Sequence, residues 1–366
     1  MKLAIVHDYL NQFGGAERVV GVFHEMFPEA PIFTSFYIQD RTFPCFRTAA
    51  VSTSFMQQLP RIDRYFRSYL PLYPLAFENF DLKEYDVVLS SSSGWAHGIQ
   101  TRNGAIHICY CYTPPRWVWN FDEYVRKEPW GPLKKAALRC VVKYLRQHDL
   151  AVSRRPHYYI AISNAVAHRI KLFYGRESTV IHPPVEVERF PLRTSANDYY
   201  LVVSRINGYK RIDLVVEAFN ELKLPLRIVG EGPMRRTLEQ LAGPNIQFLG
   251  VLKDSELVEQ YANCRALIFP GEEDFGIAPL EANACGRPVI AFAAGGALET
   301  VLEGETGIFF RQATASELRQ KVLESQRMHF DPHHLRAHAE KFGTPVFRQR
   351  LTEFLRSVRS GAPFDG

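Results

Sequence analysis

Long apolar runs are missing from this chain of 366 residues. No stretch approaches the roughly 18 uncharged apolar residues that a membrane-spanning helix needs. The opening MKLAIVHDYL is interrupted by His7 and Asp8 before it reaches the length of a secretory signal core. Both absences lead to the expectation of a cytoplasmic protein. The six cysteines, at positions 45, 109, 111, 140, 264 and 285, form no C-x-x-C and no Cys/His cluster with zinc spacing, and they read as reduced core residues. A complete G-x-G-x-x-G is also missing. Gly230-Glu231-Gly232-Pro233 has no third glycine at the required offset, and Gly14-Gly15 stands alone, which disfavours a nicotinamide dehydrogenase.

What is present is ordinary in bulk and uneven in detail. A chain this long suits two globular domains, and 46% apolar with 23% charged residues fits a soluble protein. From Arg102 to Arg176 there are fourteen Lys and Arg against four Asp and Glu, whereas the whole chain carries only +5. The basic charge therefore belongs to the first half. Within 126–155, Lys135, Arg139, Lys143 and Arg146 recur at three- and four-residue steps beside Leu138, Val141, Val142 and Leu145, the pattern of a basic amphipathic helix. It reads as a solvated face or as one attracted to anionic lipid, the latter supported by the aromatic-rich RYFRSYLPLYPLAF at 64–77. Nucleic acid is disfavoured, because no interleaved recognition motif accompanies the charge.

Strand-like and helix-like segments alternate almost throughout, as in a doubly wound parallel sheet. KLAIVHDYL, YDVVLSSSS, AIHICYCY and HYYIAISN read as strands of a first series, with a Gly-loop opening a helix at NQFGGAERVV. The Pro-rich, aperiodic stretch at 181–199 marks a boundary, and a second series follows. Its members include YLVVSR, LRIVGEG, IQFLGVL, ALIFP and PVIAF as strands, and KDSELVEQYANC as a helix capped by Asp254 or Ser255. The expected fold is α/β: two tandem Rossmann-like domains facing a central cleft, with ligands at the carboxyl ends of strands. The expected domains are 1–185 and 186–345.

The segment EEDFGIAPLEANACGRPVIA at 272–291 carries the chemistry. Its loop follows the strand ALIFP, Pro279 suits a first helical turn, and Gly286 marks that helix's end. Glu273 then faces the cleft and Glu281 sits in the first turn. Gly276 permits a tight turn that aims the amides of Gly276, Ile277 and Ala278 at an anion, such as a phosphate. A carboxylate one turn along suits the paired hydroxyls of a ribose. VVSRINGYKR supplies Arg205 and Lys210, a planar fork and a point charge fit for a diphosphate. Gly14 and Gly15 offer free N–H groups at a helix start in the first half.

EEDFGIAPLEANACGRPVIA resembles the E-x7-E signature of the retaining GT-B glycosyltransferases of family 4, and VVSRINGYKRIDLVVEAF resembles that family's diphosphate-binding segment. HDYLNQFGGAERV, CYTPPRWVWN and SNAVAHRIKLFYGRESTVIHPPVEVERF resemble the branch of bacterial mannosyltransferases in O-antigen and exopolysaccharide assembly. The resemblance covers nearly the whole chain. It implies Glu273 on the donor-sugar hydroxyls, Glu281 on the ribose, Arg205 and Lys210 on the diphosphate, and Gly15 on the phosphate or sugar. Backbone at Gly276 and Ile277 would touch the same groups, and Tyr112 and Arg116 become possible sugar or acceptor contacts. Tyr112 stands where many relatives carry His. His97 and His107, nearby, read as structural residues. The resemblance further implies a C-terminal helix, 346–366, crossing back to the first domain. It implies no cofactor, and with no Asp-x-Asp-like pair at a strand end, no metal. The implied reaction moves a hexose, best matched by mannose from GDP-mannose, to a polyprenyl-diphosphate-linked saccharide at the inner membrane face. A UDP-sugar transferase, a catalytically silent sugar-nucleotide-binding subunit, and an epimerase or phosphorylase of the same shape are the alternatives.

Overall fold

The structure is a computed structural model that describes residues 2–121 and 131–360. The chain divides into two compact units, Met1–Ile181 and His182–Ala362. Each is built on one wholly parallel sheet. The first sheet comprises β1 (Leu3–His7), β2 (Ile32–Thr34), β3 (Val51–Thr53), β4 (Val87–Ser92), β5 (Ile106–Cys111), β6 (Tyr158–Ala161) and β7 (Thr179–Val180), in the order β3-β2-β1-β4-β5-β6-β7. The second comprises β8 (Tyr200–Val203), β9 (Leu226–Val229), β10 (Ile246–Gly250), β11 (Ala266–Phe269), β12 (Val289–Phe292) and β13 (Gly307–Phe310), in the order β10-β9-β8-β11-β12-β13. LAIVH in β1 and ALIF in β11 are buried along their whole length, as expected of parallel strands covered on both faces.

The sheet orders fix where ligands can sit. In the first unit the chain winds outward from β1 through β2 to β3, then restarts at β4 on the other side. In the second it winds from β8 to β10 and restarts at β11. Each restart is a topological switch point, where the connections leave in opposite directions and open a crevice at the strands' carboxyl ends. In the first unit that crevice is held by Asp8, just past β1 and 1% exposed. Its carboxylate accepts from the Ser93 amide (2.6 Å), the Ser93 hydroxyl (3.0 Å) and the Trp95 and Ala96 amides (both 2.8 Å). The loop after β4 is thereby tied to β1.

Several local expectations need correction. The helix Asp254–Asn263 is preceded by Lys253 as its cap, not Asp254 or Ser255: the Glu256 carboxylate accepts from the Lys253 amide at 2.9 Å, so the acid three residues in does the capping. Cys140 is exposed and Cys45 half-buried, so only four of the six free cysteines are core residues. The basic helix exists as α2 (Pro132–Val152), following α1 (Gly15–Met26), while the part of the motif at 126–130 lies outside the described residues. Arg146 is not a solvated basic residue. Its guanidinium donates to Val118 O at 3.2 and 2.6 Å and lies over the Trp119 ring, latching α2 to the short helix Arg116–Trp119.

Further along α2, Asp149 is fully buried. Its Oδ2 accepts from Trp119 Nε1 (2.7 Å) and from the Tyr174 hydroxyl (2.9 Å), and its Oδ1 stands 3.1 Å from His97 Nε2, an ion-pair contact out of hydrogen-bond alignment. Burial pulls the His97 pKa down, but the Asp149 carboxylate overrides it and the net shift is upward. His107 is also buried, and burial drives its pKa well below the usual histidine value. Both histidines are structural in position.

The two rings act oppositely on stability. A raised folded-state pKa at His97 gives stability that is complete below the unfolded value near 6.5 and is lost as pH rises through the folded value, whereas neutral His107 loses stability as pH falls. Asp149→Asn removes only the first effect. Chemical denaturation from pH 5.5 to 8.5 should show the gap between parent and Asp149→Asn widest at the acid end. A gap that widens toward pH 8.5 would contradict a charged His97.

Candidate active site

The second unit's switch point is assembled from four loops packed backbone against backbone. The loop after β8 runs Ser204–Asn207 into a single turn, Gly208–Lys210. It is stitched to the β9 loop by Ile206 N–H donating to Glu231 O (2.8 Å) and Met234 N–H donating to Ile206 O (3.1 Å). Gly230, at φ +135°, has Ser204 O where a side chain would begin, and Gly232 has the Ile206 backbone there. The Gly-x-Gly-Pro motif is thus a loop-packing device. Gly271, after β11, approaches the Lys210 backbone so closely that a Cβ would lie 3.0 Å from Lys210 O. The β12 loop closes over it in turn: Gly296 N–H donates to Glu273 O (2.9 Å), and a side chain at Gly295 or Gly296 would overlap the backbone of Glu273 or Phe275.

These approaches bring Lys210 and Glu273 together. Their ammonium and carboxylate form an ion pair between the ends of β8 and β11, with the side chains 11% and 23% exposed. Together with Ser204, Pro270 and Gly271 they line a pocket of about 10 Å³, room for roughly one water. Lys210 Nζ also lies 5.0 Å from the centre of the Tyr209 ring. Arg205 lies on the same loop, exposed to solvent.

Gly276 adopts φ +95°, a backbone that only glycine enters without strain, and starts the helix Ile277–Ala284. Ile277 is the first residue of that helix and Pro279 lies in its first turn. Glu281 does not, as the sequence reading supposed; it is the fifth residue, one turn in, because the helix begins before Pro279. Its surroundings are the fully buried Tyr261 phenol, pushed up by burial and then by the Glu281 charge, and the Arg189 guanidinium. Arg189 itself pairs with Glu186 and Asp254. The structure therefore joins Lys210 with Glu273 and gives Glu281 a separate electrostatic setting.

In the first unit, Gly14 and Gly15 stand at the start of α1. Tyr112 is buried and its hydroxyl donates to Ala16 O (3.0 Å) in the first turn of that helix, while bonding Ser91 Oγ at 2.9 Å. Burial drives its pKa well above the usual phenol value. Arg116 opens the short helix that Arg146 latches. Sequence reasoning passed over Asp8, Glu17, Gly271, Gly295 and Gly296. A paired glycine directly after a strand, as in VIAFAAGG, is the signal that was there to be read.

Comparison with known proteins bears on the same region. Residues 185–342, most of the second unit, match the family Glycosyl transferases group 1. O-antigen chain mannosyltransferase C of Escherichia coli is 28% identical over 160 residues, covering 41% of this chain and 43% of that protein. A GDP-mannose-dependent monoacylated alpha-(1-6)-phosphatidylinositol monomannoside mannosyltransferase of Corynebacterium glutamicum is 30% identical over 236 residues, covering 54% and 61%. The matched regions span less than two thirds of these relatives' length. Among solved structures, Anabaena HepE in complex with UDP and glucose superimposes with a TM-score of 0.71 over 98% of this chain and 100% of that one, at 16% identity. Each unit has a Rossmann-like fold, matching the domains of GT-B glycosyltransferase structures.

If the loops must touch, a methyl group at Gly230 is destructive and one at an open position is not. Gly230→Ala is expected to cost about 2 kcal/mol or more through strain and overlap. Gly304→Ala, at φ +82° with nothing within 4 Å, should cost only about 1 kcal/mol of backbone strain. Urea unfolding of both variants checks this, and equal losses would show that backbone angle alone matters at Gly230.

Proposed function

We propose that the protein is a nucleotide-sugar-dependent glycosyltransferase that moves a hexose with retention, best matched by mannose from GDP-mannose, onto a lipid-linked saccharide of bacterial surface polysaccharide. The observation that carries this reading is the Lys210–Glu273 pair at the switch point of the unit that matches the family. Relatives named as mannosyltransferases support mannose. The HepE complexes, named for UDP and UDP-glucose, favour a UDP-sugar as the second reading.

In this mechanism Lys210 leaves Glu273 for the incoming diphosphate, and Arg205 swings onto it from the loop surface. Their positive charges stabilise the negative charge that grows on the leaving diphosphate. Glu273, released, takes hydroxyls of the donor sugar. Amides at Gly276 and Ile277 point at the sugar or phosphate, and Glu281 takes the ribose. The acceptor attacks from the face the diphosphate leaves, and the departing diphosphate takes the acceptor's proton. No general base is required, so Tyr112 keeps its structural bonds. The two cations do what a divalent metal does elsewhere, and the reaction runs without one.

Lys210→Ala and Arg205→Ala should each lower turnover on the order of a hundredfold or more without unfolding the protein. Calorimetry divides the acids: Glu281→Gln should weaken binding of the bare nucleoside diphosphate, and Glu273→Gln should spare that binding while depressing transfer. Near-normal transfer by folded Lys210→Ala, or equal weakening of diphosphate binding in both acid variants, contradicts the assignment.

The acceptor reading places α2 against the inner face of the cell membrane. Arg139 and Lys143 are exposed and Lys135 half-exposed, beside Leu133, which is 87% exposed, and Tyr144. No described helix is long and apolar enough to cross a membrane. Lys135→Gln, Arg139→Gln and Lys143→Gln together should reduce sedimentation with anionic liposomes and leave residual binding less salt-sensitive, because the attraction is screened within roughly 10 Å at 0.1 M salt. Arg146 is left intact as a structural latch. Salt-insensitive binding by the parent would contradict the electrostatic contact.

A further inference from the structure

The first unit's switch point contains two buried acceptor atoms with no partner among the described residues, Asn11 Oδ1 and Glu17 Oε2. Asn11 lies in the connection from β1 to α1 and Glu17 in the first turn of α1. Glu17 is 1% exposed, an unusual place for a carboxylate, since burial of a charged oxygen without a donor is costly. Its position, third in the helix, accounts for its fold back toward Gly14, where its Oε2 occupies the space a side chain would fill. Helix capping does not account for an oxygen left bare. Oε1 is served, accepting from Gln12 Nε2 at 3.0 Å. His7 does not serve Oε2: its Nδ1 is engaged with Ser91 O (3.1 Å) and Ser91 Oγ (3.0 Å), and its Nε2 stands 3.9 Å from Oε1, beyond hydrogen-bond reach. The Tyr112 hydroxyl is spent on Ala16 O.

The chemistry of the occupant follows from what is lacking. Two bare acceptors need donors, and one of them is a carboxylate that repels phosphate. A diphosphate brings oxygens that accept, whereas a sugar brings hydroxyls that donate. The glycines beside Glu17 leave no side chain in the way, and the surface over them, from Gln12 to Phe13, is exposed loop. We infer that Asn11 and Glu17 form a recognition site for sugar hydroxyls at the carboxyl end of β1, with Gly14 serving to admit the Glu17 carboxylate rather than a phosphate. This rests on the glycosyltransferase reading and gives it a residue in the first unit. The sugar is either the transferred hexose of the donor or the terminal residue of the acceptor.

The test uses the full chain with GDP-mannose and UDP-glucose as donors and a short-chain prenyl-diphosphate disaccharide as acceptor. Glu17→Gln should keep the parent's melting temperature and bind GDP and UDP within twofold of the parent, while kcat/KM for transfer falls roughly tenfold to a hundredfold, the size of one hydrogen bond to a charged group. If the hydroxyl is the donor's, donor hydrolysis without acceptor falls in parallel and the intact donor binds more weakly. If it is the acceptor's, hydrolysis is unchanged and the acceptor KM rises. Asn11→Ala, a loop change away from the buried carboxylate, should lower transfer several-fold in the same arm and decides the matter if Glu17→Gln does not fold. Transfer within twofold of the parent by a folded variant, or an equal loss of GDP and UDP binding, overturns the site alone. A parent that transfers from neither donor overturns the glycosyltransferase reading and this site with it.

Discussion

The Lys210–Glu273 ion pair is the constraint around which the second unit's loops are arranged. Two side chains of opposite charge, both mostly withdrawn from solvent, meet only because Gly271 lets the β11 loop press against the Lys210 backbone and Gly296 lets the β12 loop press against Glu273. Gly230 and Gly232 brace the β8 loop from the other side. An ion pair held this way is weak evidence of stability, because desolvation offsets much of the attraction. Under the proposed function it is a preorganised charge pair whose members would exchange each other for a diphosphate and a sugar.

The first unit uses a different solution at the equivalent place. There a carboxylate, Asp8, is saturated by four donors and pins the loop after β4, so it is unavailable to a ligand. The neighbouring carboxylate, Glu17, is buried with one oxygen unmatched. One acid is saturated and the other keeps an unmatched oxygen, and on the inference above that difference in hydrogen-bond donors is what would leave Glu17 for a ligand. Under the proposed reading, cationic side chains mark the unit that would meet phosphate and bare acceptors the unit that would meet hydroxyls.

Much of this was legible in the sequence, for physical reasons. Buried parallel strands are continuous apolar runs, so LAIVH and ALIF announced themselves, and Phe275-Gly276 could only be a tight turn, which the structure makes with Gly276 at φ +95°. What escaped depended on partners distant in sequence. Arg146 looked like surface charge because its acceptor, Val118 O, lies 28 residues away. Glu281 was placed a turn too early because Pro279 fits any first-turn position, and the helix start is set by Gly276. The Gly-x-Gly-Pro turn looked like a failed cofactor motif because its contact, the Ser204–Ile206 backbone, is invisible until the strands are ordered.

Hydrogen–deuterium exchange with and without a nucleoside diphosphate tests the central claim most directly, because it asks which backbone the ligand orders. Addition of saturating GDP, or UDP if that is the base, should slow exchange in three segments that are separate in sequence, 204–211, 271–281 and 294–297, with the rest of the second unit little changed. Protection confined to the first unit, or no protection with either diphosphate, would contradict a diphosphate site built on Lys210 and Glu273.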